Sequence, residues 1–204
     1  MPGAITHLKT AYYILNNKIA SVLRPEQFYL GSISPDSVNV NGHAPKEIRW
    51  PAHLRNKDLN QWLENARSFW QSNAEDAGDT SFLLGYIVHI ITDIVWDMYF
   101  EAPLKCKFKA AGITCEQMKS ERWAELYGYE QQEMLKAWFK DDVVVKLAVS
   151  QPEKVGTLKP EEVKAWRDNV VGLRLPPGHV PQFVDDNIID TLCELVSETL
   201  LSVL

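Results

Sequence analysis

The chemistry-bearing residues that stand out first are His89, Asp93 and Asp97, spaced four apart in Gly85-Tyr86-Ile87-Val88-His89-Ile90-Ile91-Thr92-Asp93-Ile94-Val95-Trp96-Asp97. In a helix that spacing puts all three on one face, in an otherwise apolar setting. An imidazole and a carboxylate one turn apart can converge on one cation, since a rise of about 5.4 Å per turn suits two ligands each about 2 Å from a metal. Left without a partner, the same groups would form a costly buried cluster. Asp97 has three readings: a further ligand, a hydrogen-bond partner of a ligating His, or a cap for a neighbouring helix.

The elements that must carry these residues read as helices throughout. Ile5 to Leu23 has an apolar stripe of Leu8, Ala11, Tyr12 and Ile14, open to interruption at Asn16-Asn17, with His7 in its first turn. Pro25 to Ile33 is a second helix, stopped at Ser34-Pro35 because a residue before proline avoids helical backbone, which sets Asp36 at an element boundary. Ser37 to Ala52, rich in Asn, Gly and Pro, reads as a long ordered loop carrying His43 and leading to His53. Helix resumes from about Asn56 to Ser72, and Asp79 or Thr80 caps the apolar helix from Ser81 to about Glu101, limited by Pro103. Further helices are expected over Thr114 to Phe139 with a kink near Gly128, Asp141 to Val149, Pro160 to Val170 and Val180 to Leu204, with Asp185-Asp186 as a first-turn charge pair. No strand-length alternation and no repeat is present, so the expected fold is all-α, a single-domain multi-helix bundle over residues 1–204.

Composition bounds the function. Apolar residues at 46%, charged residues at 24% and seven Trp describe a chain that folds on a sizeable core. The formal charge of −6 gives no general attraction to a phosphate backbone, so no nucleic-acid partner is signalled. Three cysteines do not make a complete disulfide framework, and Met1 to His7 lack the pattern of a secretory signal, so a cytoplasmic protein is expected. The apolar stretch Phe82 to Tyr99 would bury His89, Asp93 and Asp97 in lipid if it spanned a bilayer, and is read as a core helix. There is no phosphate loop, no Gly-x-Ser-x-Gly turn, no Cys-x-x-Cys pair and no adjacent His-Asp dipeptide, which removes support for nucleotide-binding, serine-hydrolase, thiol-redox and His-Asp phosphohydrolase classes. Oligomeric state has no signature in the sequence.

His7 in Ile-Thr-His-Leu, the Leu30-Gly31-Ser32-Ile33-Ser34-Pro35-Asp36 turn, His53 in Ala-His-Leu and the Gly-Tyr-x-x-His-x-x-x-Asp helix, in that order, resemble the bacterial zinc-dependent phospholipase C family over about residues 3 to 97. The resemblance implies an all-helical phosphodiesterase fold, shared distantly with zinc-dependent single-strand nucleases, and a small-molecule or lipid phosphodiester substrate hydrolysed by a metal-activated water. By family position His53 and His89 match imidazole ligands of one zinc, Asp93 a carboxylate bridging two ions, His7 a ligand of a second ion, and Asp36 a ligand that also suits a general base. His43 lies in the same loop as His53 and spacing does not choose between them; family position favours His53. Two departures point to one or two zinc ions rather than three: Met1 to Thr6 stand where the family's secreted enzymes ligate zinc through an N-terminal Trp, and Tyr99 and Glu101 stand where a further His is expected. The competing class is a non-catalytic metal-binding helical protein that keeps part of the site for structure or for binding a ligand or partner.

Overall fold

The computed structural model describes residues 2–75, 78–173 and 180–204, and is helical throughout with no strand among the described residues. Its centre is α5 (Ser81–Val95), in which every residue is buried, as an apolar-all-round sequence requires. α2 (Pro25–Ile33) has the limits that Pro25 and the Ser34-Pro35 stop impose, and runs beside α5 in the same direction. The Ser81 hydroxyl accepts the Leu23 and Arg24 amides at 3.2 and 3.0 Å, fixing the two helix starts together. Thr80 is the N-cap residue of α5 but its side chain makes no capping bond; Asp79 supplies one instead, its Oδ1 accepting the Ser81 amide at 2.9 Å.

The approach of α2 to α5 depends on two glycines. A Cβ on Gly31 would lie 2.0 Å from the Phe82 carbonyl oxygen, and one on Gly85 would lie 2.1 Å from the Phe28 carbonyl oxygen. Only residues without a side chain allow the backbones to meet at this distance.

Around this pair stand α1 (Ala4–Asn16), α3 (Lys46–Ala52), α4 (Leu59–Ala74), α6 (Glu101–Ala110), α7 (Met118–Glu133), α8 (Val144–Val149), α9 (Pro160–Val171) and α10 (Asp186–Val203). One hydrophobic core joins them, from Ile5 and Leu8 in α1 to Leu192, Val196 and Leu200 in α10. Asp185 caps α10 by accepting the Ile188 amide at 3.0 Å, and Asp186 opens its first turn, as the paired acids suggest.

Several sequence expectations are corrected. α1 ends at Asn16, with Lys18 at φ 54, rather than continuing to Leu23. The expected loop from Ser37 to Ala52 contains a 3-10 turn, Ser34–Asn39, and α3; α3 buries only Ala52, so it leaves no apolar stripe to read. Pro103 does not end the central helix. A π-turn, Trp96–Phe100, follows α5 and leads into α6, where Pro103 sits in the first turn and its missing N–H is tolerated. The resulting helix, Ser81–Ala110, is long and apolar enough to cross a membrane by length and composition, yet 89% of its most apolar window is buried in the protein. Gly128 is buried inside α7 without a break; the interruption comes after Glu133, before a second π-turn at Trp138–Val143.

Candidate metal centre

Each candidate ligand is held by a different local device. His89 projects from α5 and its Nδ1 lies 2.8 Å from the Ser32 carbonyl, the contact made possible by the Gly31–Gly85 crossing one turn earlier. A carbonyl only accepts, so Nδ1 carries the proton and Nε2 keeps its lone pair. His53 closes α3, and its Nδ1 is 2.8 Å from the Arg49 carbonyl, which again frees Nε2. The next residue, Leu54, has φ 49, so the chain turns sharply away after presenting the ring. His7 in the first turn of α1 stacks on His89 with centroids 3.7 Å apart and planes 10° from parallel. Glu130 of α7 secures that turn by accepting the Thr6 amide at 3.0 Å and the Thr6 hydroxyl at 2.8 Å. Asp36 comes from the 3-10 turn, steadied by the Asn39 amide at 3.2 Å.

These side chains converge. Asp93 Oδ1 is 3.6 Å from His7 Nε2, and its Oδ2 is 3.7 Å from His89 Nε2 and 3.9 Å from His53 Nε2, while Asp36 Oδ1 is 3.3 Å from His53 Nε2. Ligand atoms about 2.0–2.1 Å from one zinc in tetrahedral geometry stand about 3.3 Å apart. The observed separations are this edge, slightly expanded. Two sets each have all their ligand atoms within 4.8 Å of one another: His53, His89 and Asp93, and His7, Asp36 and His89. Both rest on His89, whose free ring nitrogen is Nε2.

The hydrogen-bond account carries the case for a cation. Both ring nitrogens of His7, Nε2 of His89 and both oxygens of Asp93 are buried and have no hydrogen-bond partner, and Nε2 of His53, also buried, faces the Asp36 carboxylate at 3.3 Å. Buried polar groups are normally paired, and the cost of leaving these lone pairs facing one another is one that a bound cation would offset. The donor set of neutral imidazole and carboxylate suits zinc.

Electrostatics agree with that reading. Burial raises the Asp93 carboxyl to about 7, with His53 pulling it down and Asp36 and Asp97 pushing it up. Burial, with the neighbouring His53 charge, lowers His7 well below the usual imidazole range, and burial with His7 does the same to His89, so both rings are neutral, the state that binds metal. Burial pushes His53 down, and the Asp36 contact together with Asp93 raises it overall; burial pushes Asp36 up, and the His53 contact together with neighbouring His89 holds it below the usual carboxylate range. At neutral pH Asp36 is a fixed anion. It is also the group that meets solvent, with 16% of its side chain exposed against 0–1% for the others.

His7, Asp36, His53, His89 and Asp93 are thus brought together. His43 is not: it is exposed, with its ring against Arg49. Asp97, in the π-turn, accepts from Arg55 at 2.6 Å, and the Arg55 guanidinium lies 4.6 Å above the Trp62 ring. It bonds no histidine and caps no helix among the described contacts, though its charge reaches Asp93. Glu101, near the position of the family's further His, bonds Arg122 at 2.8 Å and Lys105 at 3.0 Å instead of facing the cluster. Sequence reasoning missed the Ser32 and Arg49 carbonyls and Glu130, none of which has a motif. Gly31 and Gly85, lone glycines in apolar helices, did carry a signal of close backbone approach.

Residues 5–149 match the family model described as zinc dependent phospholipase C, so the chain belongs to that family. The match extends past the motifs through α7 and α8. No curated protein and no solved structure gives a significant match.

Proposed function

We propose that the protein is a zinc-dependent phosphodiester hydrolase of the phospholipase C type, acting on a lipid phosphodiester. The observation that carries this reading is the ring of buried, unpartnered nitrogen and oxygen atoms on His7, His89 and Asp93, closed by His53 and by the ionised, partly exposed carboxylate of Asp36 that His53 faces. His53, His89 and Asp93 would hold one ion; the single free lone pair of His89 serves one ion only, so His7 and Asp36 are the residues left to hold a second, and one or two ions are the proposed complement. Zinc bound there would supply Lewis acidity, polarising a phosphoryl oxygen and making hydroxide accessible at neutral pH.

The remaining work falls to the chain. Neutral His7 and His89, wedged face to face, keep bulk water from the floor of the site. Asp36, kept ionised by His53, accepts a proton at its rim-facing carboxylate from the water that attacks phosphorus. Substrate enters on the Asp36 side, since the other proposed ligands are sealed. Tyr127 of α7 is the exposed aromatic near that side, its phenol raised first by burial and then by the charges of Glu130 and Asp36.

A second reading, a metal-binding helical protein without turnover, draws on Glu101, whose engagement with Arg122 and Lys105 leaves one family ligand position unfilled. One experiment separates the two: zinc content by elemental analysis and hydrolysis of a chromogenic phosphodiester, on wild type and three variants. His89→Ala and Asp93→Asn are expected to lose zinc and activity together. Asp36→Asn is expected to retain zinc in the His53–His89–Asp93 set and to lose turnover by about 10²-fold or more. Zinc bound stoichiometrically with no turnover by wild type would establish the second reading.

A further inference from the structure

α6 is a surface helix of unusual design. Leu104 and Phe108 are its buried stripe, and its outermost residues, Ala102, Pro103, Cys106 and Ala110, are exposed and uncharged. Lysines flank that uncharged face, with Lys105 and Lys109 on one side and Lys107 on the other, as 100° per residue dictates. A helix made only for water would put its charges outermost.

Two grooves border the helix. One, of about 260 Å³, has Leu104, Phe108 and Met118 as apolar lining, while Glu101 in its wall pairs with Lys105 and Arg122 and leaves Lys119 as its unpaired cation. The other, of about 220 Å³, lies on the opposite side against Trp96, Phe100 and Ile188, with Lys107 at its edge. Met98 and Tyr99, just before α6, are exposed at 36% and 50%. Between Glu101 and Ala124 the cations Lys105, Lys107, Lys109, Lys119 and Arg122 stand against Glu101, Glu116 and Glu121, five against three, in a chain whose formal charge is −6. Lys107, Lys109 and Lys119 are exposed and form no ion pair among the described residues.

We infer that the α6 face, with the start of α7, is where the protein seats on an anionic phospholipid bilayer. The uncharged outer face meets the headgroup layer, the flanking lysines reach lipid phosphates, Tyr99 sits at interfacial depth and the groove beside Trp96, Phe100 and Ile188 receives acyl chain. Charge complementarity selects this occupant: an acidic protein concentrates unpaired cations around an apolar patch at one place. α7 links the surface to the catalytic proposal, for Arg122 lines the first groove and the next residue, Trp123, stacks on Tyr127 with centroids 5.3 Å apart. The inference rests on a lipid substrate in that reading for its purpose, and on the surface alone for its evidence.

The test is cosedimentation of the full chain with vesicles of phosphatidylcholine alone or with 30 mol% phosphatidylglycerol (~0.3 of the lipid, an anionic surface of the kind such lysines recognise). Wild type is expected to bind only the anionic vesicles and to release as salt rises. Lys107→Gln/Lys109→Gln/Lys119→Gln is expected to weaken partitioning about 100-fold, a factor of about five per lysine. Its zinc content and its turnover of a soluble phosphodiester should equal those of wild type, which also shows that it is folded. Equal binding to neutral vesicles, no binding to either, or an unaltered triple variant would overturn the proposal, as would tighter binding to a single-stranded oligonucleotide at the same salt. A zinc-loaded protein that binds anionic vesicles but leaves soluble phosphodiester intact would sink the hydrolase reading and leave the docking surface standing.

Discussion

At the scale of single residues, Asp93 carries the clearest cost that the proposed cation would offset. Its oxygens accept no hydrogen bond and its carboxyl is raised to about 7 by burial. A carboxyl whose folded value lies above its unfolded one contributes stability that is complete below the unfolded value, near 4, and is lost as pH rises through 7. In chelator at pH 8, Asp93→Asn is therefore expected to be more stable than wild type by about 2–4 kcal/mol, the gap narrowing as pH falls from 7 toward 4. Urea denaturation at pH 8, 6.5 and 5 measures this. A destabilised Asn variant at pH 8 in chelator would mean that the carboxylate is paired within the protein, and would remove the main argument for a cation.

At the scale of elements, the α2–α5 crossing sets the position of His89. Gly85→Ala would place a methyl 2.1 Å from the Phe28 carbonyl, so the helices must separate or tilt, and the Ser32–His89 hydrogen bond of 2.8 Å lengthens with them. Backbone is the obstacle, so the cost belongs at the upper end of overpacking, about 3 kcal/mol, which for a chain of this size lowers Tm by about 6–12 °C. Zinc affinity should fall in parallel. Calorimetry with metal titration checks both, and an unchanged Tm would show that the crossing tolerates a Cβ. This scale also explains what the sequence made legible. α2 is bounded by two prolines and α5 by an unbroken apolar run, so both were readable, along with the His89–Asp93 face. The 3-10 turn and α3 were not, because α3 buries Ala52 alone and offers no period, and the choice of His53 over His43 depends on where α3 ends. Asp97 lies in the π-turn at Trp96–Phe100, which has no signature in the apolar run, and its carboxylate meets Arg55.

At the scale of the molecule, the site draws His7 from α1, Asp36 from the 3-10 turn, His53 from the end of α3, and His89 with Asp93 from α5. These segments touch one another only in the folded state, so a cation that binds them binds the native chain and not the unfolded one. The family match stops at Val149, but α10 packs against α5 and α1, and α9 against the 3-10 turn that carries Asp36, so the last helices brace ligand-bearing elements. Stabilisation by zinc should therefore spread through all 204 residues as one transition. With free zinc about 1,000-fold above its dissociation constant the gain is about 4 kcal/mol, which corresponds to about 8–16 °C in Tm. Differential scanning calorimetry, with and without zinc, is expected to show a single peak that moves by that amount and does not move in Asp93→Asn. Two peaks, with only the lower-mass one responding to zinc, would show that α9 and α10 fold as a separate unit and that the brace against the Asp36 turn contributes nothing to metal binding.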